Sequence, residues 1–315
     1  MLSSEFEVSL EGPIDFAASL AIFRRSGDDM IDRYDGTWLV RTTRVDRRAV
    51  AYACRFAGDV ERPRLRVTVG NVRDSDAVEQ AVRMIFLPMP REFIELCRVD
   101  PLVGRLAQFH RGFRPVMQSD LLEALVRCIS AQQVNLKWAS TVRRRLAETF
   151  GRIHRVAGQT VYSLDAERLA AVAVAGIRAL QFTNRKSEYV INVARAIADG
   201  ELSIEMLTAL PDDEVIARIT AVRGLGRWTA EWILARTLGR PRVSAFDLGV
   251  RKAVGKGYFE GRMPSSQEVR EATAHWGGGA AVAQGLILHA QHERTLGTPA
   301  TAMAAQSSAR TQIRV

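Results

Sequence analysis

Between two segments of helical period in the stretch 211–254 stands Gly224-Leu225-Gly226, the most informative stretch of the sequence. Pro211 and Asp212 open the first segment, Arg227 starts the second, and Gly239 and Pro241 end it. Two glycines permit positive φ and close backbone approach, so the spacing predicts helix, tight hairpin, helix, loop, helix. The first-turn amides of the second helix, near Thr229, lack intrahelical acceptors. They point outward at the positive end of a helix dipole, which suits a phosphate oxygen. Taken alone, the same turn serves packing equally well.

The charge pattern bears on that choice. The 315 residues carry a formal net charge of +9, and it is not evenly spread. Residues 101–160 hold ten Lys/Arg against three acids, and residues 221–260 hold eight against three, so the remainder of the chain is slightly acidic. Basic charge concentrated in these two central segments is what a docking polyanion would meet, and an Arg-rich solvated surface would show it equally. Hydrophobic residues make up 47% and charged residues 25%, ordinary values that argue against wholesale disorder. No apolar run reaches the roughly 18 residues of a membrane helix, and the opening stretch carries Glu5, Glu7 and Glu11 where a signal peptide would be basic. A cytoplasmic, nucleoid-associated location is the expectation. Cys54, Cys97 and Cys128 are far apart with no Cys-x-x-Cys pair, which argues against zinc, an iron–sulfur cluster or a disulfide framework. His275, His289 and His292 read as a helix face and loop, not a metal site.

Along the chain, the period changes once. Before about residue 88, strand signals at 6–10, 38–42 and 65–69 mix with helical signals at 14–23 and 48–57, and Gly12-Pro13, Asp35-Gly36 and Gly70-Asn71 supply turns. Beyond about residue 75 strand signals nearly vanish. The fold class expected is α+β: a small N-terminal mixed α/β sheet domain followed by a mostly α-helical, two-lobed body. Its divisions are residues 1–88; a lobe of 89–118 plus 240–292; a second lobe of 119–239 with the hairpin; and a disordered tail at 293–315. In the second lobe Asp120 caps a helix with apolar positions Leu121, Leu125, Cys128 and Ile129; a polar break at 130–135 and a basic helix at 137–150 follow.

Gly224-Leu225-Gly226-Arg227-Trp228-Thr229-Ala230, then Asp247-Leu248-Gly249-Val250-Arg251-Lys252, resembles the helix-hairpin-helix DNA glycosylases, in particular their DNA-3-methyladenine glycosylase II branch. The upstream Ala124-Leu125-Val126-Arg127 and Gln132-Gln133-Val134, and the downstream His275-Trp276-Gly277-Gly278, fit the same pattern over roughly residues 85–292. The resemblance implies a monomeric base-excision repair enzyme that hydrolyses the glycosidic bond of alkylated purines in double-stranded DNA. Asp247 falls at the catalytic aspartate. Trp228 stands where bifunctional relatives carry a Schiff-base lysine, implying no lyase activity. Trp228 and Trp232 match pocket aromatics, although two tryptophans four apart also suit plain core packing. Gln133 matches the residue that fills the gap left by the extruded nucleotide. The amides of Gly224, Gly226 and Thr229 match phosphate contacts, and Arg127, Lys137, Arg251 and Lys252 are further candidates for DNA contact. No cofactor is implied beyond a structural monovalent cation on the main-chain carbonyls of Thr220, Val222 and Leu225. Arg223, Gln133 and Gly279 depart from the pattern; Gly279, where some members place a pocket tryptophan, is expected to widen the pocket. A glycosylase for oxidised or deaminated purines and a catalytically silent DNA-binding module stay open as alternatives.

Overall fold

A computed structural model describes residues 3–46 and 48–296. The sheet unit comprises β1 (Ser4–Ser9), α1 (Phe16–Ser26), β2 (Arg33–Tyr34), β3 (Trp38–Val45), β4 (Arg48–Gly58), β5 (Pro63–Val69) and α2 (Ser75–Arg83). Its strands form one antiparallel sheet in the order β1-β5-β4-β3-β2. The segment 48–57, read from its period as a helix, is the central strand β4, paired with β3 on one side and β5 on the other. Its residues Ala51–Cys54 are buried without a break, because both faces of the sheet are covered there; a strand wet on one face would alternate instead.

The helical body follows as α3 (Arg91–Val99), α4 (Pro101–Phe109), α5 (Leu121–Ala131) and α6 (Leu136–Phe150), a hairpin of β6 (Arg152–Val156) and β7 (Gln159–Ser163), then α7 (Ala166–Ala170), α8 (Val174–Arg178), α9 (Asn184–Ala198) and α10 (Ile204–Ala209). It closes with α11 (Asp212–Ala221), α12 (Arg227–Arg236), α13 (Leu248–Tyr258), α14 (Ser266–Thr273) and α15 (Ala280–His292). The β6–β7 hairpin corrects the expectation that strands stop near residue 75. Its turn is Ala157-Gly158, both at positive φ, a two-residue connection whose backbone twist matches the strands. Short side chains cap the helix starts: Asp120 accepts from the Glu123 amide at 3.0 Å and Asn135 from the Trp138 amide at 2.8 Å.

Buried apolar side chains gather in three main clusters. One lies in the sheet unit, from Val8 to Phe86 with Val116. A second joins Leu121–Leu234, with Ile31 reaching in from the sheet unit. The third joins Leu87–Met117 to Ala235–Leu296. Within the stretch expected to be a disordered tail, Glu293 and Arg294 are exposed but Thr295 and Leu296 are buried against the body; the expectation for 297–315 lies outside the described residues. No described helix is long and apolar enough to cross a membrane.

Charge, as well as apolar packing, ties the sheet unit to the body. Asp29 and Asp32 are buried in the loop after α1; Arg127 of α5 lies 3.0 Å from one and 2.7 Å from the other. Arg143 of α6 meets Asp29 at 2.9 Å, and Arg41 of β3 meets Asp32. Burial alone would raise the Asp29 carboxyl, but the charges of Arg127 and Arg143 outweigh it and hold the group at about 2.

Candidate functional site

The hairpin Val222–Gly226 joins α11 to α12. Gly224 has φ of +106°, and a Cβ there would fall 2.2 Å from the Tyr189 ring, so both backbone and packing demand glycine. At Gly226 a Cβ would meet nothing within 4 Å. Gly226 offers no side-chain cap, so the first-turn amides of α12 receive no side-chain acceptor from it; Thr229 itself is buried. Gln132, which sequence reasoning left unassigned, ties the α5–α6 turn to this hairpin: its Nε2 donates to the Gly224 carbonyl at 3.0 Å. Next to it Gln133 is exposed and held at φ of +56°, lifting its side chain off the turn. Arg223 is exposed and 3.3 Å from Glu188.

Asp247 is the N-cap of α13. One carboxylate oxygen, Oδ1, accepts from the Val250 amide at 2.8 Å; the other, Oδ2, accepts from the indole Nε1 of Trp228 at 2.8 Å. A capping bond fixes the carboxylate, and the carboxylate fixes the ring. Both residues line a cavity of about 380 Å³, together with Trp232, Leu136, Cys128 and Gly249. Five parts of the fold wall it: the α5–α6 region, α12 with α13, α15 with Leu288 and His289, the segment 113–116, and α1 of the sheet unit, which contributes Ser19, Ile22, Arg25 and Ser26. The cavity is mainly apolar, with a few polar groups converging on it, the composition of a small-ligand site. Cys128 in its wall is buried, and burial pushes its thiol up to about 12.

Of the residues singled out from sequence, Asp247, Trp228 and Trp232 come together at the cavity. Gln133, Gly224, Gly226, Thr229 and Arg251 do not line it; they flank it on the turn, the hairpin and α13. Arg251 is half-buried, its Nε donating to the Pro264 carbonyl at 2.8 Å. Two expectations are corrected. Arg127 is committed to Asp29, Asp32 and Gln118 in the interior and is not a surface cation for phosphate. Gly279 does not open the cavity: it is buried against α3, where a Cβ would lie 2.9 Å from the Phe93 backbone. The downstream His275 and Trp276 join a structural network instead, in which His275 Nε2 and the Tyr258 hydroxyl both contact Asp100 Oδ2, at 2.8 and 2.6 Å, and Trp276 donates to Tyr258.

Gly249 is a residue that the sequence did not single out for the site. A Cβ there would lie 2.9 Å from Asp247 Oδ1 and 3.4 Å from Leu288. Gly249→Ala is therefore expected to push the carboxylate aside, lowering any turnover that depends on it by about 10- to 100-fold. Alanine is the better helix former, so the unfolding midpoint should hardly move. Turnover and thermal unfolding measured on the same preparation check both halves.

Two helical lobes, a glycine hairpin at a helix start and a capped aspartate over a cavity define a helix-hairpin-helix protein. Residues 126–277 match the HhH-GPD superfamily of base excision DNA repair proteins. A DNA-3-methyladenine glycosylase of Bacillus subtilis is 31% identical over 186 residues, 58% of this chain and 61% of that protein. A 3-methyladenine DNA glycosylase structure from Archaeoglobus fulgidus superposes with a TM-score of 0.79 at 25% identity, covering 92% of this chain and 98% of the other. An 8-oxoguanine glycosylase/lyase from Clostridium acetobutylicum, 16% identical, shares the fold with a TM-score of 0.69 over 92% of this chain and 98% of that one. The chain spans about three fifths of the length of the Bacillus subtilis relatives it matches.

Proposed function

We propose that this chain is a monofunctional DNA glycosylase that releases alkylated purines from double-stranded DNA. The observation that carries the reading is the pairing of Trp228 Nε1 with Asp247 Oδ2 at the wall of a base-sized cavity. Hydrolysis of a nucleoside bond passes through a sugar of oxocarbenium character. A fixed carboxylate beside the anomeric carbon stabilises that state more than the neutral ground state. Asp247 supplies the charge, and its two hydrogen bonds hold it in place before substrate arrives.

A purine alkylated at N3 or N7 is already cationic and departs as a neutral molecule, so no general acid is required. The indole faces of Trp228 and Trp232 suit such a ring, with cation–π attraction of about 0.5–2 kcal/mol. The target must leave the stack to reach the cavity, and Gln133 stands on the turn from which it can occupy the gap. Backbone phosphate is assigned to the amides at Gly224, Gly226 and Thr229, with open space at Gly226 for its approach; Arg251, Lys137 and Lys252 add positive charge nearby.

The main-chain carbonyls of Thr220, Val222 and Leu225 are neutral, hard oxygen donors, which suit a monovalent cation and not a transition metal. The Val222 carbonyl also accepts from the Leu225 amide at 3.1 Å, which leaves one of its lone pairs for an ion. Such an ion would brace the hairpin without touching the reaction.

The test is release of free 3-methyladenine and 7-methylguanine from methylated duplex, with the strands analysed for nicks. Release with intact strands is expected. Strand cleavage would overturn the monofunctional assignment, and salt-sensitive binding without release would leave a silent binding module.

A further inference from the structure

Four arginines line the cavity: Arg25, Arg127, Arg143 and Arg236. Three have carboxylate partners, Arg25 with Glu293 at 3.0 Å, Arg127 with Asp29 and Asp32, and Arg143 with Asp29. Arg236 differs in one respect. Among the described residues its guanidinium forms no ion pair, and its Nε, like that of the ion-paired Arg25, is buried without an acceptor. Buried donors are nearly always satisfied, and one that faces a ligand cavity unsatisfied points to an acceptor supplied from outside the protein.

The helix places this group with the aromatic residues. Trp228, Trp232 and Arg236 recur at four-residue spacing along α12, so all three fall on one face, successive members about 6 Å apart along the axis. Long helical side chains lean toward the helix N-terminus, which brings the guanidinium back toward Trp232. Burial lowers the group to about 10, so it remains charged at neutral pH.

We propose that Arg236 is a specificity-determining residue that receives the oxygen-bearing edge of an extruded purine and so permits excision of a neutral 6-oxopurine. The inference rests on the base-excision reading above and adds to it a ligand for the cavity's unpaired cation. The chemistry differs from that of a cationic base. When a neutral 6-oxopurine such as hypoxanthine leaves, the electron pair of the C1′–N9 bond goes with it and the base departs as an anion. Water oxygen forms the new bond to C1′, and the proton that water loses ends on a purine nitrogen. A guanidinium against O6 stabilises the charge as it develops, through a charge-assisted hydrogen bond. An alkylated, cationic purine develops no such charge and gains little from Arg236.

The experiment compares wild type with Arg236→Met, which keeps the apolar stem, and with Arg236→Lys, which keeps the charge. The substrates are a duplex holding one hypoxanthine and a duplex holding 3-methyladenine. For Arg236→Met, kcat/KM on hypoxanthine should fall about 10²-fold while release of 3-methyladenine changes less than about threefold, with partial recovery in Arg236→Lys. An equal loss on both substrates, no loss on either, or a wild type that releases 3-methyladenine but not hypoxanthine overturns the role of Arg236 and leaves the base-excision reading standing. A wild type that releases neither 3-methyladenine nor hypoxanthine overturns that reading, and the inference with it. Should Arg236→Met fail to fold, calorimetric titration of wild type with free hypoxanthine and free adenine decides. About tenfold tighter hypoxanthine supports the proposal, and equal binding overturns it.

Discussion

Asp247→Asn will lower base release from methylated duplex about 10³-fold, a loss of ~4 kcal/mol of transition-state stabilisation, while binding to an abasic duplex stays within about threefold of wild type. The argument starts from the two hydrogen bonds of the carboxylate. Asparagine has one acceptor oxygen where aspartate has two, so it can cap α13 at Val250 or accept from Trp228, but not both. The charge opposite the developing oxocarbenium goes as well. Loss of the charge falls on the chemical step; loss of one neutral contact costs about 1 kcal/mol of stability at most. Single-turnover release and equilibrium binding on one preparation separate the two. Release at the wild-type rate from Asp247→Asn would remove this residue from the mechanism.

The second large effect lies away from the cavity floor. Asp29→Ala will destabilise the fold by about 3–5 kcal/mol, because Arg127 and Arg143 are left buried beside an empty position and the Ile31 and Asp32 amides lose their acceptor. Adding Arg143→Met should return part of the loss by removing one uncompensated charge. The sign of the pH dependence follows from the depressed carboxyl. Asp29 is held at about 2 against an ordinary value of 3.8, so its contribution is fully present above 3.8 and is lost as pH falls through about 2. Urea midpoints measured between pH 2 and 6 should therefore fall less steeply with acid in Asp29→Ala than in wild type. Parallel pH curves would place the acid sensitivity elsewhere.

Much of the site was legible in sequence because its signals are local. A glycine pair before a helix, two tryptophans one turn apart and an aspartate at a helix start each report on a few adjacent residues. What escaped is what depends on partners far along the chain. β4 reads as helix until β3 and β5 are known to flank it, and its unbroken apolar run belongs to a strand covered on both faces. Arg127 looks like a surface cation until the loop carrying Asp29 and Asp32 folds over it. Gly279 reads as a widened pocket, whereas α3 packs against it, and only the packed structure reveals that. Arg236 carried no signal at all in sequence, since one arginine in a basic segment resembles any other until its neighbours are counted.

The cavity wall supplied by α1 has a consequence for how such a chain can diversify. Ser19, Ile22, Arg25 and Ser26 lie outside the region 126–277 that matches the superfamily, yet they bound the space a base would enter. On the proposed base-excision reading, lesion preference can therefore drift by substitutions in a unit that carries neither the aspartate nor the hairpin, and two chains alike in the aspartate and the hairpin can differ in substrate through their first thirty or so residues. A library restricted to the inward positions of that one helix would explore substrate range while the bond-breaking apparatus stayed constant.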